Sequence, residues 1–218
     1  MDPLIRTLSL SLIATSFAVV VARPLRAAVV AYMAQALLMV AIIAAFARWH
    51  PALWTWAATA FVTKFALVSW LLWRAVRPGD DEQGAPRAGA LPTVVLVAAL
   101  AALSSHLVHR HAGFLAPTPE LMGEPYRTNV AVALTLFAVG LFAVLTRRDA
   151  LKVVLGVCLM ENGAHLSLVS LAPSMRETVL IGVVTDVVLA VYLLLVVIRA
   201  IESVTGSRDT RRLSSLRG

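Results

Sequence analysis

Three charged side chains interrupt otherwise apolar stretches of the sequence, and each lies well inside its stretch. Glu161 has eleven residues of its stretch before it and ten after it, Asp186 lies eight residues into another stretch, and Lys64 lies twelve residues into a third. A charge at the centre of a membrane helix costs roughly 2.5–3.5 kcal/mol, and a carboxylate is too short to reach the headgroups. Two buried acids and a buried amine are the groups that a proton or ion pathway needs. The alternative is that the three groups pair and only lock the helices together, although buried ion pairs are often no more stabilising than apolar replacements.

The sequence around Glu161 supplies partners for a proton. It reads GVCLMENGAHLSL over residues 156–168. His165 follows one helical turn after Glu161 on the same face, so the carboxylate and the imidazole can share a proton or a water molecule. Asn162 adds a neutral donor and acceptor, and Gly163 leaves space beside them. Because burial penalises the charged forms of acids and amines alike, a proton can move between such groups at little cost.

Small residues flank the second acid as well. Gly182 lies one turn before Asp186 in the run IGVVTDVVLAVYLLL. A glycine at that distance lets another helix or a water molecule approach the carboxylate.

The elements that must position these groups are long apolar helices. Of the 218 residues, 60% are hydrophobic and 14% are charged, which excludes an ordinary soluble enzyme. A helix needs about 20 apolar residues to cross the hydrocarbon core of a bilayer. Seven stretches meet this length, and they are residues 4–22, 27–47, 52–73, 92–111, 128–146, 150–171 and 178–198. The sequence therefore predicts an all-α integral membrane protein, a bundle of seven transmembrane helices.

The basic residues predict the orientation of the bundle. In the loops, the termini and the ends of the stretches, thirteen Lys and Arg residues fall on the side that holds the C-terminus, and five fall on the side that holds the N-terminus. Cytoplasmic loops carry the excess of positive charge. We therefore expect the N-terminus outside and the C-terminus, with the polar loop 74–91, in the cytoplasm. The same bias explains the net charge of +7 without nucleic acid, so the lipid bilayer is the expected contact.

Histidines at the end of the fourth stretch have two interpretations. His106 and His109 share a helix face, and His106 falls near the depth of His165, so the pair of helices could hold a b-type haem between two histidines. The other interpretation, which we favour, is a polar helix end at the membrane surface. The sequence has no Gly-rich phosphate loop, nucleophile elbow or HExxH motif. We therefore expect no metal and no other cofactor.

Several of these features together resemble a known family. The features that carry the resemblance are the MENG run at residues 160–163, the acid of the seventh stretch, Lys64 of the third stretch and the short tail ending at residues 216–218. In these features the chain resembles component E of hydrogenase-4 and formate hydrogenlyase-type complexes. The length and the seven predicted spans agree with that family over the whole chain.

The last three stretches, residues 128–198, are also similar to subunit K of respiratory complex I. That subunit carries carboxylates of the membrane arm's proton path on its second and third helices. By position Glu161 matches the first of these and Asp186 the second, where subunit K has glutamate. The resemblance thus implies that both acids are relay carboxylates, with Lys64 and His165 as tuning or shuttling groups.

The resemblance also implies an organisation and a set of partners. Residues 1–127 would form four N-terminal helices, residues 128–198 a subunit K-like unit, and residues 199–218 a basic cytoplasmic tail. The chain would be a membrane-arm subunit that helps to translocate protons or Na⁺ in the bacterial cytoplasmic (inner) membrane. Antiporter-like subunits and a hydrogenase-like or complex I-like peripheral arm would be its partners, and the chain alone would have no catalytic turnover. A haem-bearing electron-transfer subunit and a non-conducting scaffold remain the alternatives.

Overall fold

A computed structural model of the chain describes residues 3–76, 90–115, 123–124, 126–171 and 177–206. Helices account for most of this part of the chain. In order they are α1 (Pro3–Val21), α2 (Leu25–Ala47), α3 (Leu53–Ala75), α4 (Ala90–Leu115), α5 (Tyr126–Thr146), α6 (Ala150–Leu171) and α7 (Glu177–Thr205). These bounds follow the predicted apolar stretches closely, except that α4 extends four residues past the predicted end at residue 111 and α7 seven residues past the predicted end at residue 198.

Six of these helices, α1 to α6, are long and apolar enough to cross a membrane. The all-helical membrane class is therefore confirmed. Helix α7 has 29 residues, but a full complement of seven spans and the orientation of the termini stay predictions. Most of the predicted polar loop 74–91 and most of the basic tail 199–218 lie outside the described residues.

Helices α5 and α6 make the most extensive helix contact in the described part of the chain, and glycines allow it. A Cβ atom on Gly140 would lie 2.6 Å from the carbonyl oxygen of Gly156, and one on Gly156 would lie 2.9 Å from that of Gly140. At the next crossing, a Cβ atom on Gly163 would lie 2.6 Å from the Ala133 carbonyl oxygen. Glycines let membrane helices approach to backbone contact. Gly163 therefore does leave space, but the α5 backbone fills it.

A polar layer separates the two larger apolar clusters of the core. Along α6 the first cluster extends to Leu159 and the second begins at Leu166. Along α2 the first cluster extends to Tyr32 and the second begins at Met39. Lys64 falls in the corresponding gap of α3, between the residues that α3 gives to the two clusters. Because the helices run side by side, these gaps form one layer near mid-membrane depth.

Candidate functional site

Helix α3 changes its winding where it carries the buried lysine. Residues Leu53–Ala60 and Ser69–Ala75 are α-helical, whereas Phe61–Val68 forms a π-helix. Lys64 lies inside this segment, and the hydroxyl of Ser69 donates to the Lys64 carbonyl oxygen at 3.3 Å. π-Helical turns are rare and occur frequently at functional sites. Between residues 53 and 75 there is no proline or glycine, so the sequence offered no signal for this irregularity.

Lys64 joins α3 to α6 at the centre of the polar layer. Its side chain is fully buried, and Nζ donates hydrogen bonds to Glu161 Oε2 at 2.8 Å and to Asn162 Oδ1 at 2.9 Å. Glu161 keeps 17% of its side-chain surface exposed. A hydrogen bond between an ammonium and a carboxylate is short and strong because both groups carry charge. The structure thus brings together the lysine, the acid and the amide that the sequence singled out.

His165 contacts the opposite oxygen of the same carboxylate. Its Nε2 lies 3.0 Å from Glu161 Oε1, one helical turn away as predicted. The imidazole packs against the indole of Trp56 in an edge-to-face arrangement, with the ring centroids 5.6 Å apart. The contact with Glu161 is close in distance but is not aligned as a hydrogen bond, and among the described residues neither nitrogen of His165 nor Glu161 Oε1 has a hydrogen-bond partner. The carboxylate of Glu161 therefore lies between an amine and an imidazole, in contact with both.

Two further groups are buried near this level of the bundle. The phenol of Tyr32 on α2 is fully buried, and so is the thiol of Cys158, which lies one turn before Glu161 on α6. Our sequence reasoning did not single out Tyr32. A signal existed, because a tyrosine inside an apolar stretch places a hydroxyl where few polar groups occur.

The polar layer continues from α2 to α1. Gln35 Nε2 donates to the hydroxyl of Ser16 at 2.8 Å, and that hydroxyl donates to the Leu12 carbonyl oxygen at 2.7 Å. Hydrogen bonds of this kind hold membrane helices together. Helices α1, α2, α3 and α6 thus all contribute polar groups at one level.

Asp186 does not join this cluster. Its side chain is exposed on α7. The same surface of the helix holds Leu189 and Leu193, which are exposed and follow Asp186 at helical spacing. Helix α7 packs against α3 and α6 through residues such as Val187 and Val191, which are buried. Gly182 lies in α7, but its surroundings fall outside the described side chains.

The histidines that were considered as haem ligands lie in different environments. His106 and His109 are exposed on α4, whereas His165 is buried against Glu161. His109 Nδ1 lies 2.8 Å from the Ser105 carbonyl oxygen, and its Nε2 lies 3.3 Å from a carboxylate oxygen of Glu124. Within the described ranges, no group of three or more His, Cys, Asp or Glu side chains could hold a metal ion. The geometry fits a polar helix end.

Comparisons with known proteins agree with the sequence resemblance. The family model described as NADH-ubiquinone/plastoquinone oxidoreductase chain 4L matches residues 129–218. NADH-quinone oxidoreductase subunit K of Deinococcus radiodurans is 36% identical over 104 residues, which are 46% of this chain and 99% of that protein. No solved structure matches the chain significantly. Hydrogenase-4 component E of Escherichia coli strain K12 is 35% identical over 189 residues, 86% of this chain and 85% of that protein, and the same protein of Shigella flexneri matches equally. By identity and coverage, the chain belongs to the hydrogenase-4 component E family.

Proposed function

We propose that this membrane subunit of a complex I-like assembly conducts protons through Lys64, Glu161 and His165. One observation carries the proposal: three titratable groups make consecutive contacts of 2.8 and 3.0 Å at mid-membrane depth. The first contact is a hydrogen bond, and the second is within the distance of proton transfer but needs the two side chains to reorient before their atoms align. The two apolar clusters lie on either side of this layer, between it and the two membrane surfaces. On this proposal, a proton that reaches the layer is carried by Lys64, Glu161 and His165.

The geometry supports a definite order of transfer. The ammonium of Lys64 gives a proton to Glu161 Oε2 and becomes a neutral amine, and the carboxylate becomes a neutral acid. The acid then gives a proton to His165 Nε2, which regenerates the carboxylate and leaves an imidazolium. The net result is the movement of one proton from the lysine to the histidine. The proton that Glu161 receives is on Oε2, whereas His165 Nε2 faces Oε1. The carboxyl group must therefore rotate between the two transfers, which turns its O–H toward the imidazole.

Asp186 extends the proposal beyond this chain. An ionised acid on a lipid-facing surface at this depth would cost roughly 2.5–3.5 kcal/mol. Since Asp186 is exposed, we propose that a neighbouring membrane subunit covers it and that it serves as the second relay carboxylate, at the interface. Antiporter-like subunits are the proposed neighbours, with a hydrogenase-like or complex I-like peripheral arm as the source of energy and the bacterial inner membrane as the location.

The experiment is proton pumping by membrane vesicles that contain the intact complex, with assembly checked on a native gel. We expect Glu161→Gln to assemble and to pump at least about tenfold more slowly, because the amide cannot carry a proton. Glu161→Asp keeps the acid and should retain part of the activity. Asp186→Asn should impair pumping more mildly. Glu124→Gln, the same chemical change outside the membrane spans, is the control and should pump normally.

The outcomes separate the candidate functions. Wild-type pumping by an assembled Glu161→Gln complex would contradict the relay and favour a non-conducting scaffold. A visible haem spectrum of the purified subunit that is lost in a His106→Ala variant would favour an electron-transfer subunit instead.

A further inference from the structure

A cavity of about 150 Å³ lies where α3 ends, α6 begins and α7 approaches its C-terminal end. Two arginines, one glutamate and several apolar side chains line it. They include Arg74, Arg199, Glu202, Leu151, Leu195 and Ile198. All three helix ends belong to the side on which the sequence concentrates its basic residues, so the cavity lies at the predicted cytoplasmic surface of the membrane.

Aromatic side chains indicate the depth of the cavity. Trp70 and Trp73 are exposed on the last turns of α3, and the guanidinium carbon of Arg74 lies 5.5 Å from the Trp70 ring centroid. Exposed tryptophans mark the boundary between hydrocarbon and headgroups. The arginines of the cavity therefore lie at the level of the lipid phosphates.

The chemistry of the lining matches a phospholipid with one negative charge. Two arginines and one carboxylate leave one net positive charge, equal and opposite to that of a phosphodiester. Guanidinium groups bind phosphate oxygens through paired, charge-assisted hydrogen bonds. Leu195 and Leu151 are buried and form the inner wall of the cavity. The exposed ring of Trp70, which the Arg74 guanidinium contacts, provides an apolar surface that continues from the arginines toward the hydrocarbon.

Glu202 narrows the choice of headgroup. A free phosphate dianion carries a second negative charge, and the Glu202 carboxylate would repel it. A headgroup hydroxyl could instead donate a hydrogen bond to the Glu202 carboxylate. A glycerol headgroup supplies such a hydroxyl.

We propose that this cavity binds the headgroup of one anionic glycerophospholipid of the phosphatidylglycerol type, with its phosphate between Arg74 and Arg199 and its acyl chains outside the cavity, along the exposed apolar surface beside Trp70. Basic pockets between helices on the cytoplasmic side bind anionic headgroups in this way. The bound lipid would link α7 to α3 and α6, the helices that carry the proposed relay. This inference does not depend on proton conduction.

The test is native mass spectrometry of the full-length chain, purified in a neutral detergent and titrated with dioleoylphosphatidylglycerol. Two comparison ligands are used. Dioleoylphosphatidylcholine has no net charge and tests whether the charge is recognised, and glycerol 1-phosphate has no acyl chains and tests whether the free headgroup is enough. We expect wild-type protein to prefer phosphatidylglycerol over phosphatidylcholine at least about tenfold, and glycerol 1-phosphate alone to bind weakly. The double variant Arg74→Gln/Arg199→Gln should lose that preference, while Arg199→Lys should retain part of it.

The matched control is Arg23→Gln/Arg26→Gln, which removes two charges from the same predicted side of the membrane and should keep the preference. A melting temperature that phosphatidylglycerol raises in wild-type protein but not in Arg74→Gln/Arg199→Gln provides a second measurement on folded protein. Equal binding of the two lipids, equal loss in the control, or tight binding of glycerol 1-phosphate alone would overturn the proposal. The proposal would also be overturned if Arg74→Gln/Arg199→Gln bound lipid as wild type does but failed to assemble into the complex, because the arginines would then bind a partner subunit.

Discussion

Removal of the Lys64 amine distinguishes a proton carrier from a structural pair. Nζ makes hydrogen bonds to Glu161 and Asn162 at 2.8 and 2.9 Å in a fully buried position. Loss of one partner of a buried ion pair costs about 3–5 kcal/mol, since the other charge remains in a low-dielectric site. We expect Lys64→Met and Glu161→Gln each to destabilise the subunit by up to this amount. The double variant has no buried charge left at the pair, so it should regain most of the loss.

The measurement is a double-mutant cycle with two readouts. Thermal unfolding of the purified complex gives the stabilities, and a coupling of about 3 kcal/mol is expected between the two positions. Proton pumping in vesicles gives the activities. If the pair conducts protons, the double variant recovers stability while its pumping stays at least about tenfold below wild type. If the pair only locks α3 to α6, the double variant recovers both.

Each result therefore has one interpretation. Full pumping by an assembled double variant would refute the relay. Loss of assembly by Lys64→Met, with the residual complex working at full rate, would make Lys64 structural. Purely additive stabilities would contradict the direct contact between Lys64 and Glu161 from which the magnitude was derived.

Two further predictions concern orientation and packing. A cysteine at Ser207 should resist a membrane-impermeant thiol reagent in intact cells and a cysteine at Thr118 should react, while the reverse pattern would invert the topology. Gly163→Ala should destabilise the subunit by about 1–3 kcal/mol, because the added Cβ would lie 2.6 Å from the Ala133 carbonyl oxygen and 2.9 Å from the Phe137 nitrogen. Ala164→Val, at the neighbouring exposed position, is the control for thermal unfolding, and an equal loss there would contradict the close-packing argument.

Several features of the fold could be predicted because they depend on local chemistry. The length of an apolar stretch is enough to predict a membrane helix, and the helical repeat is enough to place His165 beside Glu161. The cost of an unpaired mid-membrane charge predicted that Lys64 needs a partner. The sequence could not say that this partner is Glu161, because that depends on how α3 packs against α6.

Other features could not be read from the sequence because they depend on tertiary contacts. The segment that forms the π-helix around Lys64 contains no proline or glycine that would have indicated an irregular helix. The exposure of Asp186 was unpredictable for a different reason: α7 is apolar on all sides around this acid, so periodicity does not reveal which face is covered. Gly163 was singled out correctly, yet its role is close packing against α5 and not space beside the carboxylate.

The contrast between the two acids bears on where a proton path would continue. Glu161 is held by Lys64 and lies against His165 inside the bundle, whereas Asp186 lies on the surface of α7. A proposed path that uses both acids therefore includes the exposed surface of α7. Since an exposed acid at this depth is costly in lipid, the surface around Asp186 is the place where a partner subunit would both cover the charge and receive the proton. On this argument one subunit supplies only part of the path, and pumping becomes a property of the assembled complex.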